Sequence, residues 1–534
     1  MEFLDLLSVF SKSSPFAVRT LSDDSMGGEL QLFKDYLYVK TQIEKDFEKI
    51  LDDALDGKKR IIFLCGSSGD GKSEILTRYS KKEKYNKKVQ FHLDATHSLN
   101  PRETAIERLN ILFNEYDKNN LTLVVGINTG MLANYAHAGN NSKIQKSIIK
   151  YLESSNLSYN DSNYDIDFLD FKNYSSFEFS NNELISEFFS KFYKKLISVE
   201  PENILYKKYS ELSDKPISAV NYSFLKEVNI EKKLIEMLFA VRLIDDQFIT
   251  TRSLLDFFYC ILSNEKYIFE ALFDGGDNEI LDKMRKFDPI KIRTKKIDNF
   301  IMAIQMGIVD EDLEKYLIDL KELGIKKDFK TDVRNLIRIF FLFQDVDFSN
   351  NYHKNFCDDF EIRILNNYKE LWLAHNDLGN KSEYRKLNKF YTSKLVNAIN
   401  KYNSRNISGV NSDEFLLNIY NDYKILTKLE LKINRDKLAK ISNKNVDLLM
   451  CPIIINDKYS IDVCIGINLF KLIEMINDGY QPNKNDKNTV VMLDHIIEEI
   501  RDYLINSDEL IIVNGILRKT IKDVYGDSTE FKVV

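Results

Sequence analysis

The sequence predicts an α/β core on a parallel sheet, then a helical region, then a small α+β end. Three observations predict it. The stretch "RIIFLCGSSGDGKSEILTRY" (60–79) passes from an apolar strand through a glycine-studded turn into a helix. Continuous apolar runs then alternate with helical periodicity to about residue 170, the pattern of strands covered on both faces of a parallel sheet. Past residue 440, short strand-like runs gather around two amphipathic helices.

The turn in the first stretch is the most specific feature. Gly66, Gly71, Lys72 and Ser73 stand as G-x-x-x-x-G-K-S, the phosphate-binding P-loop or Walker A pattern. Holding a polyphosphate needs several backbone N–H groups pointing inward together, and that geometry is reached most readily by glycine. The following helix, expected over roughly 71–80, aims its amide end at the phosphates. Gly66, Ser67, Ser68, Gly69, Asp70, Gly71, Lys72, Ser73 and Glu74 are therefore the expected ATP-binding residues. Lys72 would reach the β- and γ-phosphates, facing solvent without nucleotide, and the Ser73 hydroxyl would ligate Mg²⁺. The alternative is a plain glycine-rich connector.

Around that loop, "YVKTQIEKDFEKILDDAL" (38–55) reads as an amphipathic helix leading into the first strand. "KVQFHLDAT" (88–96), "LTLVVGIN" (121–128) and "NYDIDFLDF" (163–171) read as further strands, and "PRETAIERLNILFNEY" (101–116) as a helix opened near its start by Pro101. ATP hydrolysis also needs an acid holding Mg²⁺ through water and a polar residue orienting the attacking water. No run of four apolar residues followed by Asp-Glu occurs. Asp94 is the best acid available, with a turn or capping role as the alternative, and its role depends on whether "VQFHLD" is the second or third strand. Asn128 sits where AAA-type ATPases place a γ-phosphate-sensing asparagine, although Gly-Ile-Asn-Thr-Gly also suits a turn. The strand count falls one short of a full AAA core.

"NNELISEFFSKFYKKLI" (181–197), "IEKKLIEMLFAVRLI" (230–244) and "ITTRSLLDFFYCIL" suggest a helical lid like that of AAA-type ATPases. Arg252 then becomes a candidate γ-phosphate contact, against the alternative of an ordinary surface arginine. The fold expected is thus an AAA-like P-loop NTPase core over 1–180, a lid over 181–270, a mainly helical domain over 271–440, and a small α+β domain over 441–534. "FDPIKIRTKKID" would put Lys291, Arg293 and Lys295 on one face of a strand, either against a DNA backbone or as a charged, solvated edge. Arg334 and Arg338 share one helical face, as a surface salt bridge or an arginine finger.

Composition limits the alternatives. A chain of 534 residues with net charge −7 and 44% hydrophobic residues suits a globular protein of about three domains without an overall positive coat. Its five cysteines are scattered singly, which gives no zinc set and fits reduced thiols. No run reaches the length of a membrane span, and the start "MEFLDLLSVFSKSSPF" lacks a signal-peptide pattern, so the expected location is cytoplasmic. No nuclease motif is present.

Three blocks, "FLCGSSGDGKSEILTRY", "FHLDATHSLNPRETAIERLN" and "LVVGINTGMLANYA", in that order and spacing, resemble the DptF family of phosphorothioation-dependent DNA restriction proteins. "GYQPNKNDKNTVVMLDHIIEEI" is similar too, though less specifically. The resemblance implies an ATPase subunit in bacterial or archaeal antiviral defence, acting with two partner subunits on DNA that lacks the host's sulfur-modified backbone. It carries over Gly66, Gly71, Lys72 and Ser73, and does not extend to Asp94 or Asn128. DNA would be held weakly by this chain alone and tightly with partners or in a homo-oligomer. The competing readings are a non-hydrolysing nucleotide-bound scaffold and a signalling ATPase unrelated to DNA.

Overall fold

Strand β1 (Ile61–Gly66) is buried along its whole length and lies mid-sheet. The computed structural model describes residues 2–533 other than 13–27, 58, 96–102, 154–158, 162–164, 175, 182, 330–331, 406, 408, 412, 442–445, 506, 508, 516 and 524–530. β1 pairs in parallel with β3 (Thr122–Asn128) on one side and β5 (Ile166–Asp170) on the other, while β2 (Val89–His92) flanks β3. A short strand, β4 (Tyr159–Asp161), closes the β5 edge antiparallel, giving the order β2-β3-β1-β5-β4. An α/β core with a four-stranded parallel sheet is therefore present, as the apolar runs predicted.

The two faces of β1 feed two cores. Ile61, Phe63 and Cys65 pack with helices Ala105–Lys118, Thr129–Ala138 and Ser142–Glu153. Ile62 and Leu64 pack with helices Gln42–Asp56 and Lys72–Ser80. The chain thus leaves β1 and its neighbour β3 toward opposite faces. The C-terminal ends of two strands that diverge in this way are where α/β sheets place their ligands. Thr104 caps the helix Ala105–Lys118 through a capping box with Glu107, while Pro101, expected to open it, lies outside the described residues. The helices Thr129–Ala138 and Ser142–Glu153 escaped the sequence reading.

By contacts, the chain forms two compact units where the sequence suggested four segments: 1–176 with 184–361, and 177–183 with 362–534. In the first, the sheet is followed by helices Glu187–Ile197, Ile230–Leu243 and Thr251–Leu262, close to their expected positions, and by helices absent from the reading, such as Ile217–Leu225. The strand expected in "FDPIKIRTKKID" does not form. Pro289–Lys291 is a 3₁₀ turn opened by proline, and a helix begins at Lys295, capped by the Thr294 side chain. Arg338, expected at the surface, is half-buried against Asp288 at 2.6 Å and Asp274 at 3.7 Å, inside an ion-pair network.

The second unit holds two antiparallel sheets beside helices such as Arg363–Asn376, Ile467–Asn477 and Lys487–Leu504. Leu449–Ile455, Tyr459–Ile465, Glu509–Asn514 and Phe531–Val533 match expected strands. The hairpin Glu414–Tyr420 with Tyr423–Lys428 corrects the helical expectation to residue 440. Its turn is Asn421-Asp422, with Asn421 at φ +53°, a two-residue connection that favours asparagine.

The five cysteines are all free. No described helix is long and apolar enough to cross a membrane.

Phe63 is fully buried at the centre of the sheet, 5.1 Å between ring centroids from Phe168 and 6.0 Å from Phe113. Phe63→Ala is expected to cost about 3–5 kcal/mol, the usual range for a fully buried phenylalanine. Urea unfolding followed by circular dichroism checks it, and a loss below about 1 kcal/mol would contradict this core assignment.

Candidate functional site

The turn from Gly66 to Gly71 sits over the C-terminal end of β1, and its shape depends on glycine. Gly69 and Gly71 have φ of +89° and +102°, a region side-chained residues avoid. A Cβ on Gly66 would meet Asp70 Oδ2 at 2.7 Å and Phe171 at 3.0 Å. Asp70 braces the turn by accepting the Ser67 N–H at 2.5 Å. Burial pushes the Asp70 carboxyl above its ordinary range, opposed by that amide and by Lys72.

Lys72 is half-buried, not solvent-facing as expected. Its ammonium donates to Ser67 O at 2.6 Å and Gly66 O at 3.1 Å, so the lysine folds back and spans the mouth of the turn. Burial draws its pKa below the usual lysine value, while Asp70, Asp94, Cys65 and Asp170 pull it back. Ser73 follows in the first turn of the helix Lys72–Ser80. Ser67 and Ser68 are exposed on the rim. Glu74 is committed elsewhere: its carboxylate takes Arg78 at 2.8 Å and Lys34 at 3.2 Å, tying this helix to Glu29–Leu37.

Three of the expected residues converge on this turn from other elements. Asn128 is the register partner of Gly66 on β3, and its Oδ1 accepts the Met131 N–H at 2.6 Å as the cap of the next helix. It is therefore both turn residue and neighbour of the loop. Asp94 lies just past β2, exposed, and is one of the acids acting on Lys72. Its segment is fixed by the Ala95 N–H donating to Gly126 O at 2.9 Å. Glycine is needed at 126, because a Cβ there would meet Leu93 O at 2.6 Å and Leu76 at 2.7 Å.

Arg252 reaches the loop from far along the chain. Its N–H donates to Gly69 O at 3.2 Å, and Thr251 Oγ1 lies 3.5 Å from Asp70 O. Thr250 caps this helix through a box with Ser253 and stands 3.0 Å from where a Gly69 Cβ would be. The helix Thr251–Leu262, expected from sequence to belong to a lid, thus touches the loop through its first turn.

Sequence reasoning missed Asp170, at the end of β5 opposite Cys65. It is buried, accepting the Tyr151 hydroxyl at 2.5 Å and the Lys172 N–H at 2.9 Å. The one local trace is "DFLDFK", an acid closing a strand; that this strand pairs with the loop strand is seen only in the fold. Cys65 itself is inert, sealed in the core with its thiol pushed up by burial. No protein-family model, curated protein or solved structure matches the chain.

As chemistry, the site offers a glycine-shaped turn, the Lys72 ammonium on its carbonyls, Ser73 in the first turn of the helix that follows, and the exposed Asp94 carboxylate just past β2. This fits a polyphosphate with its divalent cation. Gly126→Ala is expected to push Leu93–Ala95 outward and cost about 1–3 kcal/mol by overpacking. Gly130→Ala, whose nearest atom outside the helix backbone is 3.7 Å away, is the control in the same denaturant titration. Equal stability of the two variants would refute this account of how Asp94 is held.

Proposed function

We propose that this chain is an ATPase with an AAA-like P-loop core, serving as the energy-supplying subunit of a phosphorothioation-dependent DNA restriction complex. The observation that carries the ATPase reading is the loop itself: Lys72 bridges the Gly66 and Ser67 carbonyls beneath two positive-φ glycines, directly between a buried strand and a helix. The restriction reading rests on the sequence blocks that resemble the DptF family, and with it come the partner subunits, the DNA and the cytoplasmic setting.

The strand order supports roles for the second half of the site. β3 intervenes between β1 and β2, so Asp94 lies one strand beyond Asn128 from the loop. In an AAA-like core that spacing suits an acid on the outer strand and a water-orienting amide on the inner one. In this scheme Ser73 and Asp94 hold Mg²⁺, which would neutralise charge on the phosphates. Lys72 binds the phosphates, Asn128 orients water, and Arg252 meets the terminal phosphate from the lid. One observation favours the scaffold alternative: Ala95 follows Asp94, where hydrolysing enzymes of this kind carry a glutamate.

ATP turnover by the full chain, with and without DNA and candidate partner subunits, separates the readings. Lys72→Ala is expected to abolish hydrolysis while keeping the fold, since the ammonium contacts only loop carbonyls; wild-type turnover in that variant would remove the loop assignment. Asp94→Asn is expected to lower kcat by about 10²-fold or more with little change in ATP affinity, because a metal-holding acid acts mainly where charge develops. Unchanged kcat would reduce Asp94 to a turn residue. On plain duplex DNA the chain alone is expected to bind weakly. Arg293 is paired with Asp298, and Lys291 donates to the Arg285 carbonyl, so neither heads a basic stripe. A salt titration showing nanomolar affinity and six or so released counterions would overturn that expectation.

A further inference from the structure

Beyond β5, on the flank of the loop opposite Asn128 and Asp94, the chain makes a 3₁₀ turn, Phe171–Asn173. Several contacts build this turn. The Asp170 carboxylate accepts the Lys172 N–H on one oxygen and the Tyr151 hydroxyl on the other. The Tyr174 N–H donates back to Phe171 O at 3.1 Å. Tyr151 is itself stacked on Phe168 of the same strand, with centroids 4.4 Å apart. The Phe171 side chain lies directly against Gly66, at 3.0–3.2 Å from where a Cβ would stand. The turn is thus clamped to the first residue of the phosphate loop, and the side chain it carries outward is Lys172.

Lys172 is exposed, and among the described residues its ammonium has no carboxylate or carbonyl partner. The neighbourhood is short of positive charge. Asp70, Asp94 and Asp170 all act on Lys72, while Lys72 and Lys172 are the two cations acting on Cys65 at the end of β1. Adding a nucleotide polyphosphate to three carboxylates calls for a further cation, and Lys172 follows directly on Phe171, which abuts Gly66.

We propose that Lys172 is a second phosphate-contacting cation, serving the α- and β-phosphates of a nucleoside di- or triphosphate. This rests on the nucleotide reading of the loop. The choice of phosphates follows from sides: Asn128 and Asp94, the expected γ-phosphate and metal partners, line the β3 flank of β1, whereas Lys172 stands on the β5 flank. Its contribution belongs to binding shared by ATP and ADP, and therefore to KM more than to kcat.

The test is calorimetric titration of ATP, ADP and AMP into the full-length protein and its variants. Lys172→Gln is expected to weaken ATP and ADP alike, by about 3–10-fold, the range for one exposed charge-assisted contact. Lys172→Arg should restore most of the affinity, and kcat should stay near wild type. Wild-type affinities in Lys172→Gln would overturn the proposal, and weakening of ATP without ADP would overturn the assignment to the α- and β-phosphates. Lys72→Ala measured alongside separates the two levels. If it too binds ATP normally, the nucleotide reading has failed. If it loses ATP while Lys172→Gln binds like wild type, only the role of Lys172 falls.

Discussion

The candidate site depends on the register of β1 between β3 and β5. Sliding either neighbour by one residue would flip its side chains to the opposite core and carry its terminal residue away from the loop. In register, Gly66 stands beside Asn128 and Cys65 beside Asp170, so two polar residues from distant parts of the sequence flank one turn. The register is enforced by burial: β1 alternates Ile61, Phe63 and Cys65 into one core and Ile62 and Leu64 into the other, with no polar position to tolerate slippage. Fixed strands then allow the loop to be shaped by small local effects: two positive-φ glycines, one aspartate brace, and a lysine folded over its own carbonyls.

That hierarchy explains what could be read from sequence. The strand–loop–helix unit was legible because each part is local: an apolar run, glycines at fixed offsets, then Lys72 and Ser73. The other strands were legible because burial on both faces leaves no polar interruption. Convergence was harder to see. Arg252 lies 180 residues beyond Lys72, and only the three-dimensional fold brings its backbone to Gly69. Asp170 went unread because nothing local distinguishes it from any acid ending a strand; its importance comes from pairing with β1. Similarly, Gly126 looks like one residue of an apolar run, and its role appears only when Leu93 is seen crossing it.

The failures have equally physical causes. "FDPIKIRTKKID" alternates like a strand, but Pro289 and the Thr294 cap favour a 3₁₀ turn and a new helix. The hairpin at 414–428 was missed because its polar positions mimic helical spacing, while its Asn-Asp turn was the better guide. Arg338 was read as a surface salt bridge on the face it shares with Arg334; the salt bridge forms, but Asp288 and Asp274 supply partners that allow the guanidinium to be half-buried.

The contact between the loop and the start of the helix Thr251–Leu262 is made of main-chain atoms on the loop side, the carbonyls of Gly69 and Asp70. Hydrogen bonds of this neutral kind are worth about 1 kcal/mol each net. These two bonds alone therefore hold the start of the helix to the loop with about 2 kcal/mol. On the loop side the contact needs backbone carbonyls and the absence of a side chain at Gly69, while the helix side supplies Thr250 and Thr251.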